Sequence, residues 1–262
     1  MNYTAGIDIG SVTAKTVILD EDKNILAQNI VEEGIVNKKS ALSSLHQALT
    51  VADLKQEQIK VFITTGYGRN LIPFRKKSVS EISCHAIGAH FIMPEARTII
   101  DIGGQDSKVI SIASDGLVDS FQMNDKCAAG TGRFIEVMAR ALKLSLDEMG
   151  EISFMNTKPC HVSSMCTVFA ESEIISLSAQ GIPKNAIISG LYESIARRTL
   201  SLLSAIRVQP AVVMSGGVAK NKKLVKVIEQ IIGSKIIVPP EPQIIGALGA
   251  AYIAWRINNQ NG

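Results

Sequence analysis

The chain has 262 residues, enough for one large domain or two of ordinary size. Its 27 basic and 24 acidic residues are dispersed and leave a net charge of +3, so no basic patch indicates nucleic-acid binding. Aromatic residues are only 5% of a chain that is 46% hydrophobic, which predicts aliphatic cores. No signal peptide or apolar run long enough for a bilayer is evident, so we expect a cytoplasmic, membrane-free protein with four cysteines outside disulfides.

An Asp-Ile-Gly-x4-Lys frame occurs twice, from Asp8 to Lys15 and from Asp101 to Lys108. Each copy lies between two apolar runs, which predicts a strand, a tight glycine turn and a second strand. Glycine leaves the backbone amides of such a turn free for phosphate oxygens, and the aspartate suits a magnesium ion, directly or through water. Two such hairpins facing one cleft would hold one nucleoside triphosphate.

The repeat favours two domains, one at 1–95 and one at 96–243. In the first domain, the pattern predicts further strands at 25–31 and 60–64 and a helix at 38–52. In the second, it predicts a strand at 116–121 and helices at 131–142, 167–179 and 185–208. A last helix at 244–262 follows a proline-rich break.

A third glycine turn, Ser215-Gly216-Gly217, follows the predicted buried strand 211–214 and precedes a predicted helix at 221–232. Two acidic glycine hairpins followed by a late Ser-Gly-Gly turn resemble the superfamily of acetate kinase, sugar kinases, heat-shock chaperones and actin. The resemblance implies an α/β protein with an actin-like ATPase fold. In that fold two ribonuclease H-like domains, each with a mixed five-stranded sheet and helices, surround a nucleotide cleft, and the last helix returns to the first domain.

Two cysteines precede predicted helices, Cys127 before 131–142 and Cys166 before 167–179. A helix N-terminus lowers the pKa of a thiol and favours the thiolate that binds iron. The segment 124–134, Asn-Asp-Lys-Cys-Ala-Ala-Gly-Thr-Gly-Arg-Phe, and the segment 65–69, Thr-Gly-Tyr-Gly-Arg, carry a more specific likeness. With the repeated hairpin, they resemble the ATP-dependent activators of 2-hydroxyacyl-CoA dehydratases, which are grouped with the ATPase subunits of benzoyl-CoA reductase.

This resemblance implies a homodimer in which Cys127 and Cys166 of both chains hold one 4Fe–4S cluster. It implies an ATPase that passes single low-potential electrons to a separate iron–sulfur enzyme under anaerobic conditions, with ferredoxin or flavodoxin as the donor. Asp8 and Asp101 would then organise Mg²⁺, and Gln105 would position the attacking water. The expected contacts to ATP or ADP are Gly10, Ser11, Val12, Thr13, Lys15, Gly103, Gly104, Gln105, Gly216, Gly217, Val218, Asn221 and Gln243.

Several alternatives remain open from the residues alone. Cys160 and His161 could join Cys127 and Cys166 in a zinc site, although the spacing of Cys160 and Cys166 is longer than usual. Cys84 and His85 fit a core position, and Asp106 could be structural or the general base. At the level of function, the rivals are a small-molecule kinase of the same fold and a nucleotide-switched redox sensor.

Overall fold

The computed structural model describes residues 2–32, 37–152, 157–162 and 166–260. Its contacts separate two compact units. Unit 1 comprises Met1–Ile99, Ile112–Asp119 and Pro239–Gly262, and unit 2 comprises Ile100–Ser111 and Ser120–Val238. The division into a first domain at 1–95 with the helix 244–262 and a second domain at 96–243 stays a prediction.

The described chain forms ten strands and eight α-helices. The strands are β1 Tyr3–Ile9, β2 Thr13–Leu19, β3 Ile25–Glu32, β4 Ile59–Thr65, β5 Lys77–Ser78, β6 Thr98–Ile102, β7 Ser107–Ile112, β8 Val118–Asn124, β9 Val212–Ser215 and β10 Ile236–Ile237. The helices are α1 Lys38–Val51, α2 Glu81–Ile92, α3 Gly132–Ala141, α4 Leu146–Glu151, α5 Thr167–Ala179, α6 Lys184–Leu203, α7 Lys222–Ile232 and α8 Ile245–Gln260.

The ten strands form two five-stranded sheets with the same internal order. The first sheet runs β3-β2-β1-β4-β5 and the second runs β10-β9-β6-β7-β8. If the strands of each sheet are numbered in chain order within that sheet, the first strand lies in the centre, between the second and the fourth. In the first sheet, β1 pairs antiparallel with β2 and parallel with β4. The mixed five-stranded sheets expected from the resemblance are therefore confirmed.

Alternation along β1 places helices on both faces of the first sheet. Ile7 and Ile9 pack with α1, whose apolar face includes Leu45. On the opposite face, Gly6 lies directly against the backbone of α8. The side chain of Asp8 must share the face of Gly6, because side chains two residues apart on a strand point the same way. Asp8 thus faces α8 at the carboxyl end of β1.

The core of unit 2 is formed by its central strands and five helices. Ile100 and Ile102 of β6 are fully buried, as are Met138 of α3 and Tyr192 of α6. The helix α7 begins at Asn221, whose side-chain oxygen accepts a hydrogen bond from the Leu224 amide at 3.0 Å. This cap satisfies an amide that has no partner within the helix and fixes where α7 starts.

The predicted elements agree closely with the observed ones, with some differences. The predicted helix at 185–208 ends earlier, at Leu203, and the predicted strand at 116–121 lies at Val118–Asn124, because Gly116 turns with a φ of +81°. The helices α2 and α4 and the two-residue strands β5 and β10 were not predicted. Among the described helices, none combines the length and apolar character needed to cross a membrane.

Candidate functional site

The first glycine hairpin brings a carboxylate and an ammonium group together. In the antiparallel register of β1 and β2, Asp8 lies opposite Lys15, so both side chains project from the same face. Lys15 Nζ lies 3.0 Å from Asp8 Oδ2, and the two side chains are 12% and 7% exposed. The turn itself is closed by the Gly10 amide, which donates to the Thr13 carbonyl at 3.1 Å. Thr13 is buried, while Ser11 and Val12 are partly exposed.

The second hairpin holds a buried lysine between two carboxylates. Lys108 Nζ lies 3.0 Å from Asp101 Oδ2 and 2.7 Å from Asp106 Oδ2. Lys108 is 2% exposed, so the three charges are shielded from water. The Gly103 amide donates to the Asp106 carbonyl at 2.9 Å and closes the turn. Asp106 is thus tied to the hairpin through both its backbone and its side chain, whereas Gln105 beside it is exposed.

The N-terminal end of α3 supports this second turn. The amide of Gly132, the first residue of α3, donates to the Gly103 carbonyl at 2.8 Å. The next amide, of Arg133, donates to the Gly104 carbonyl at 2.8 Å. The first amides of a helix have no acceptors within the helix, and here the hairpin supplies carbonyl acceptors to two of these amides. The conformation of the Gly103–Gly104 turn is therefore fixed by the segment that follows Cys127.

The third turn lies against the end of β6. Ser215 Oγ donates to Asp101 Oδ1 at 2.8 Å. Gly216 has a φ of +85°, and a Cβ at this position would overlap the Ile102 carbonyl, so glycine is required both by conformation and by space. Together, Ser215 and Lys108 give each carboxylate oxygen of Asp101 a partner. The two glycine turns of unit 2 thus converge on one aspartate.

Two of the expected nucleoside contacts have structural roles in their own units. Asn221 caps α7 through its side-chain oxygen, and its Nδ2 donates to the Tyr192 hydroxyl at 2.6 Å. Tyr192 in turn donates to the Met149 carbonyl at 3.0 Å. In unit 1, the backbone amide of Gln243 donates to Glu241 Oε1 at 3.2 Å in the turn before α8. Contacts of these residues with a nucleotide stay predictions.

The four cysteines differ sharply in exposure. Cys127 and Cys166 are exposed, Cys160 is half-buried and Cys84 is fully buried. Burial raises the pKa of the Cys84 thiol to about 12, so this side chain stays a neutral thiol near pH 7. Burial also raises the pKa of Cys160, whose backbone amide donates to the Ala186 carbonyl at 3.0 Å. The exposed pair is the pair expected to bind iron.

The two exposed cysteines are placed differently relative to their helices. Cys166 is the residue immediately before α5, as predicted. Cys127 is separated from the first residue of α3, Gly132, by a turn in which the Thr131 amide donates to the Ala128 carbonyl, and α3 begins one residue after the predicted start at 131. Cys166 thus lies directly at the N-terminus of a helix, whereas Cys127 does not. The two helices α3 and α5 pack together within unit 2.

A single chain does not assemble the zinc site considered above. Across 2–32, 37–152, 157–162 and 166–260, no three histidine, cysteine or acidic side chains come close enough to hold a metal ion. These ranges include Cys127, Cys160, His161 and Cys166.

The sheet order repeated in both units, with an acidic glycine hairpin at the centre of each sheet, defines an actin-like ATPase fold. A family model described as the BadF/BadG/BcrA/BcrD ATPase family matches residues 5–254, and the chain belongs to this family. The activator of lactoyl-CoA dehydratase from Anaerotignum propionicum is 48% identical over 97% of this chain and 98% of its own length.

Two solved structures of similar proteins cover nearly the whole chain. One is the activator of 2-hydroxyisocaproyl-CoA dehydratase from Clostridium difficile with bound ADPNP, at 44% identity and a TM-score of 0.93 over 99% of this chain and 96% of that one. The other is component A of the (R)-2-hydroxyglutaryl-CoA dehydratase of Acidaminococcus fermentans, at 43% identity and a TM-score of 0.94 over 99% and 100%.

Sequence reasoning missed two residues around the aspartates. One is Ser215, which belongs to the glycine turn but has no predicted role. The other is His85, which is on the unpredicted helix α2 and borders the same space as Asp8. Ser80 accepts from the Ser83 amide at 3.1 Å and caps α2, so a serine ahead of Glu81 was the available signal for this helix.

Proposed function

We propose that the chain is an ATP-hydrolysing, homodimeric iron–sulfur protein of the cytoplasm. In this proposal, it delivers single low-potential electrons to a partner iron–sulfur enzyme. The observation that carries the proposal is that Cys127 and Cys166 are both exposed. They occur in a chain that belongs to an ATPase family and has two acidic glycine hairpins. A kinase of the same fold would have no need for that pair of thiols at its surface.

The nucleotide part of the proposal rests on the hairpins. The bound ADPNP in the Clostridium difficile activator, which is 44% identical, supports ATP and ADP as the ligands. The amides around Gly10 and Gly103 would bind phosphate oxygens, and Asp8 and Asp101 would hold Mg²⁺. Because both oxygens of Asp101 already have partners, Ser215 and Lys108, magnesium bound there would be held through water rather than by displacing them. Gln105, exposed beside the turn, would orient the attacking water.

The cluster part of the proposal rests on the thiols. Iron–sulfur clusters usually take four thiolates, and Cys127 and Cys166 provide two per chain, which a two-fold dimer completes. Exposure of both thiols in one chain is what sharing with a second chain requires. Such a 4Fe–4S cluster would act as a one-electron donor. The amides at the beginning of α5, immediately after Cys166, would stabilise its negative charge.

The partner part rests on the names of the relatives. They include activators of lactoyl-CoA, 2-hydroxyisocaproyl-CoA and (R)-2-hydroxyglutaryl-CoA dehydratases and a benzoyl-CoA reductase subunit that is 34% identical. We therefore propose that the electron acceptor is an enzyme like a 2-hydroxyacyl-CoA dehydratase or benzoyl-CoA reductase, or a related cluster protein. Ferredoxin or flavodoxin would be the electron donor.

The test is anaerobic purification followed by iron and sulfide analysis, molecular mass, and ATP turnover with a purified 2-hydroxyacyl-CoA dehydratase as acceptor. We expect about four irons per dimer, with Cys127→Ala and Cys166→Ala each losing the cluster but still binding ADP. Cys160→Ala, at a half-buried cysteine, is the matched control and should keep it.

A metal-free monomer would contradict the proposal, as would phosphoryl transfer from ATP to a metabolite by a colourless protein. A dimer with a cluster and bound nucleotide that showed no ATP-dependent electron delivery would instead support the redox-sensor alternative.

A further inference from the structure

A buried histidine lies beside the aspartate of the first hairpin. His85 is only 6% exposed and projects from α2 toward the beginning of α8. A Cβ placed on Gly246 would lie 3.0 Å from His85 Nε2 and 3.3 Å from Asp8 Oδ2. The imidazole and the carboxylate therefore border the same small space, which stays open because residue 246 has no side chain.

The packing of α2 on α8 explains why the imidazole lies there. The two helices approach so closely that a Cβ on Gly88 would overlap the Ile245 carbonyl, and one on Gly249 would overlap the Cys84 carbonyl. The two glycines fix the spacing of the helices on both sides of His85. A long side chain held between closely packed backbones loses most of its rotamer freedom, so its polar nitrogen has a defined position.

The carboxylate is also fixed from its other sides. Lys15 Nζ lies 3.0 Å from the same oxygen, Oδ2, of Asp8. The beginning of α8, at Ile245 and Gly246, faces the carboxylate, and a helix N-terminus favours negative charge. His85 borders that space as well. It has no part in the nucleotide contacts described above.

We propose that His85 is a positioning residue for Asp8, setting the orientation in which that carboxylate binds the magnesium–nucleotide complex. The inference rests on the proposed function, in which Asp8 serves Mg²⁺. Groups that orient a metal-binding carboxylate contribute about 10–100-fold to metal affinity. A histidine that only filled space would contribute to stability and leave the magnesium dependence of nucleotide binding unchanged.

The test compares the dissociation constant of ADP with Mg²⁺ and with EDTA by calorimetry on the purified dimer. We expect His85→Leu to weaken binding about tenfold with Mg²⁺ and to leave binding in EDTA unchanged. His85→Gln, whose amide N–H can occupy the place of Nε2, should recover most of the loss. His90→Leu is the matched control, because His90 is on the same helix but packs against Gly116, and it should behave as the wild type.

A second variant keeps the test independent of folding. Gly246→Ala adds one methyl group between the imidazole and the carboxylate, at a helical position where alanine is favoured over glycine. It should reduce ADP binding with Mg²⁺ and leave ADP binding in EDTA unchanged, and the retained binding in EDTA shows that the variant is folded.

Equal losses with and without Mg²⁺, or unchanged binding in both His85→Leu and Gly246→Ala, would overturn the inference alone. Wild-type protein whose ADP binding did not depend on Mg²⁺ would overturn the role of Asp8 and the inference with it.

Discussion

The buried lysine of the second hairpin offers a quantitative test of how unit 2 is stabilised. Lys108→Met keeps an unbranched side chain as far as Cε and removes the ammonium group that lies within 3.0 Å of both Asp101 and Asp106. The variant leaves two carboxylates close together with no cation between them. Because Lys108 is 2% exposed, water cannot replace the lost interaction.

The magnitude follows from burial and charge. Removing one partner of a buried ion pair costs about 3–5 kcal/mol, and two like charges ~5 Å apart repel by ~3 kcal/mol at an effective dielectric constant of about 20. We therefore expect Lys108→Met to lie at the upper end of that range. The first hairpin provides the matched control, Lys15→Met, which leaves only the single carboxylate of Asp8 and should cost about 1–3 kcal/mol.

The assay is urea unfolding of the ligand-free protein followed by circular dichroism. Fluorescence is less suitable because the single tryptophan, Trp255, belongs to unit 1 whereas Lys108 belongs to unit 2. Adding Asp106→Asn to Lys108→Met removes one of the two opposed charges and should recover at least about 1 kcal/mol. The reasoning is refuted if Lys108→Met is no less stable than Lys15→Met, or if the double variant is less stable than Lys108→Met.

Two further predictions concern unit 1. Gly6→Ala should destabilise the protein by about 1–3 kcal/mol or more in the same assay, because the new methyl group would overlap the backbone of α8 at Ala247 and Ala251. The control is Gly150→Ala, in which the nearest atom to the new methyl group would be 3.8 Å away, so the free energy of unfolding should stay the same or increase. Equal losses of stability in the two variants would contradict the packing argument. Burial raises the pKa of Cys84 from 9.0 to about 12, so the unfolded chain loses this proton first and stability should fall as the pH rises above about 9. Cys84→Ser should show a smaller alkaline loss, and an identical pH profile would rule this cause out.

The parts of the fold that follow a local pattern could be predicted from the sequence. The hairpins were predictable because apolar alternation and a glycine turn occur together twice, and α7 because its apolar positions form one stripe. The helix α2 has no such stripe: Cys84, His85, Ala86, Gly88 and Ala89 are all buried, on several sides of the helix. The strands β5 and β10 are two residues long, which is too short for any periodicity to show.

The site was predictable in its residue types and much less in its contacts. The two aspartates could be selected because each follows an apolar strand and precedes a glycine. The position of His85 beside Asp8 depends on the close approach of α2 and α8, which are more than 150 residues apart in the chain. The turn at Ala128–Thr131 lies between Cys127 and α3, and the glycine in this segment indicates a turn without specifying which residues close it.

The two hairpins share a sequence frame but have different electrostatic surroundings, which decides how substitutions of their aspartates must be interpreted. Asp101 belongs to a closed set of partners, since Ser215 and Lys108 occupy its oxygens and Asp106 shares the lysine. Asp101→Asn therefore changes the charge balance of Lys108 as well as any contact with magnesium, so lost nucleotide binding in that variant would not identify a metal ligand. In the first hairpin, Lys15 has no second acidic group among its described ion-pair partners, so Asp8→Asn gives the clearer measurement. A magnesium-specific loss in Asp8→Asn that matched the loss in His85→Leu, with no further loss in the double variant, would show that the two residues act as one unit.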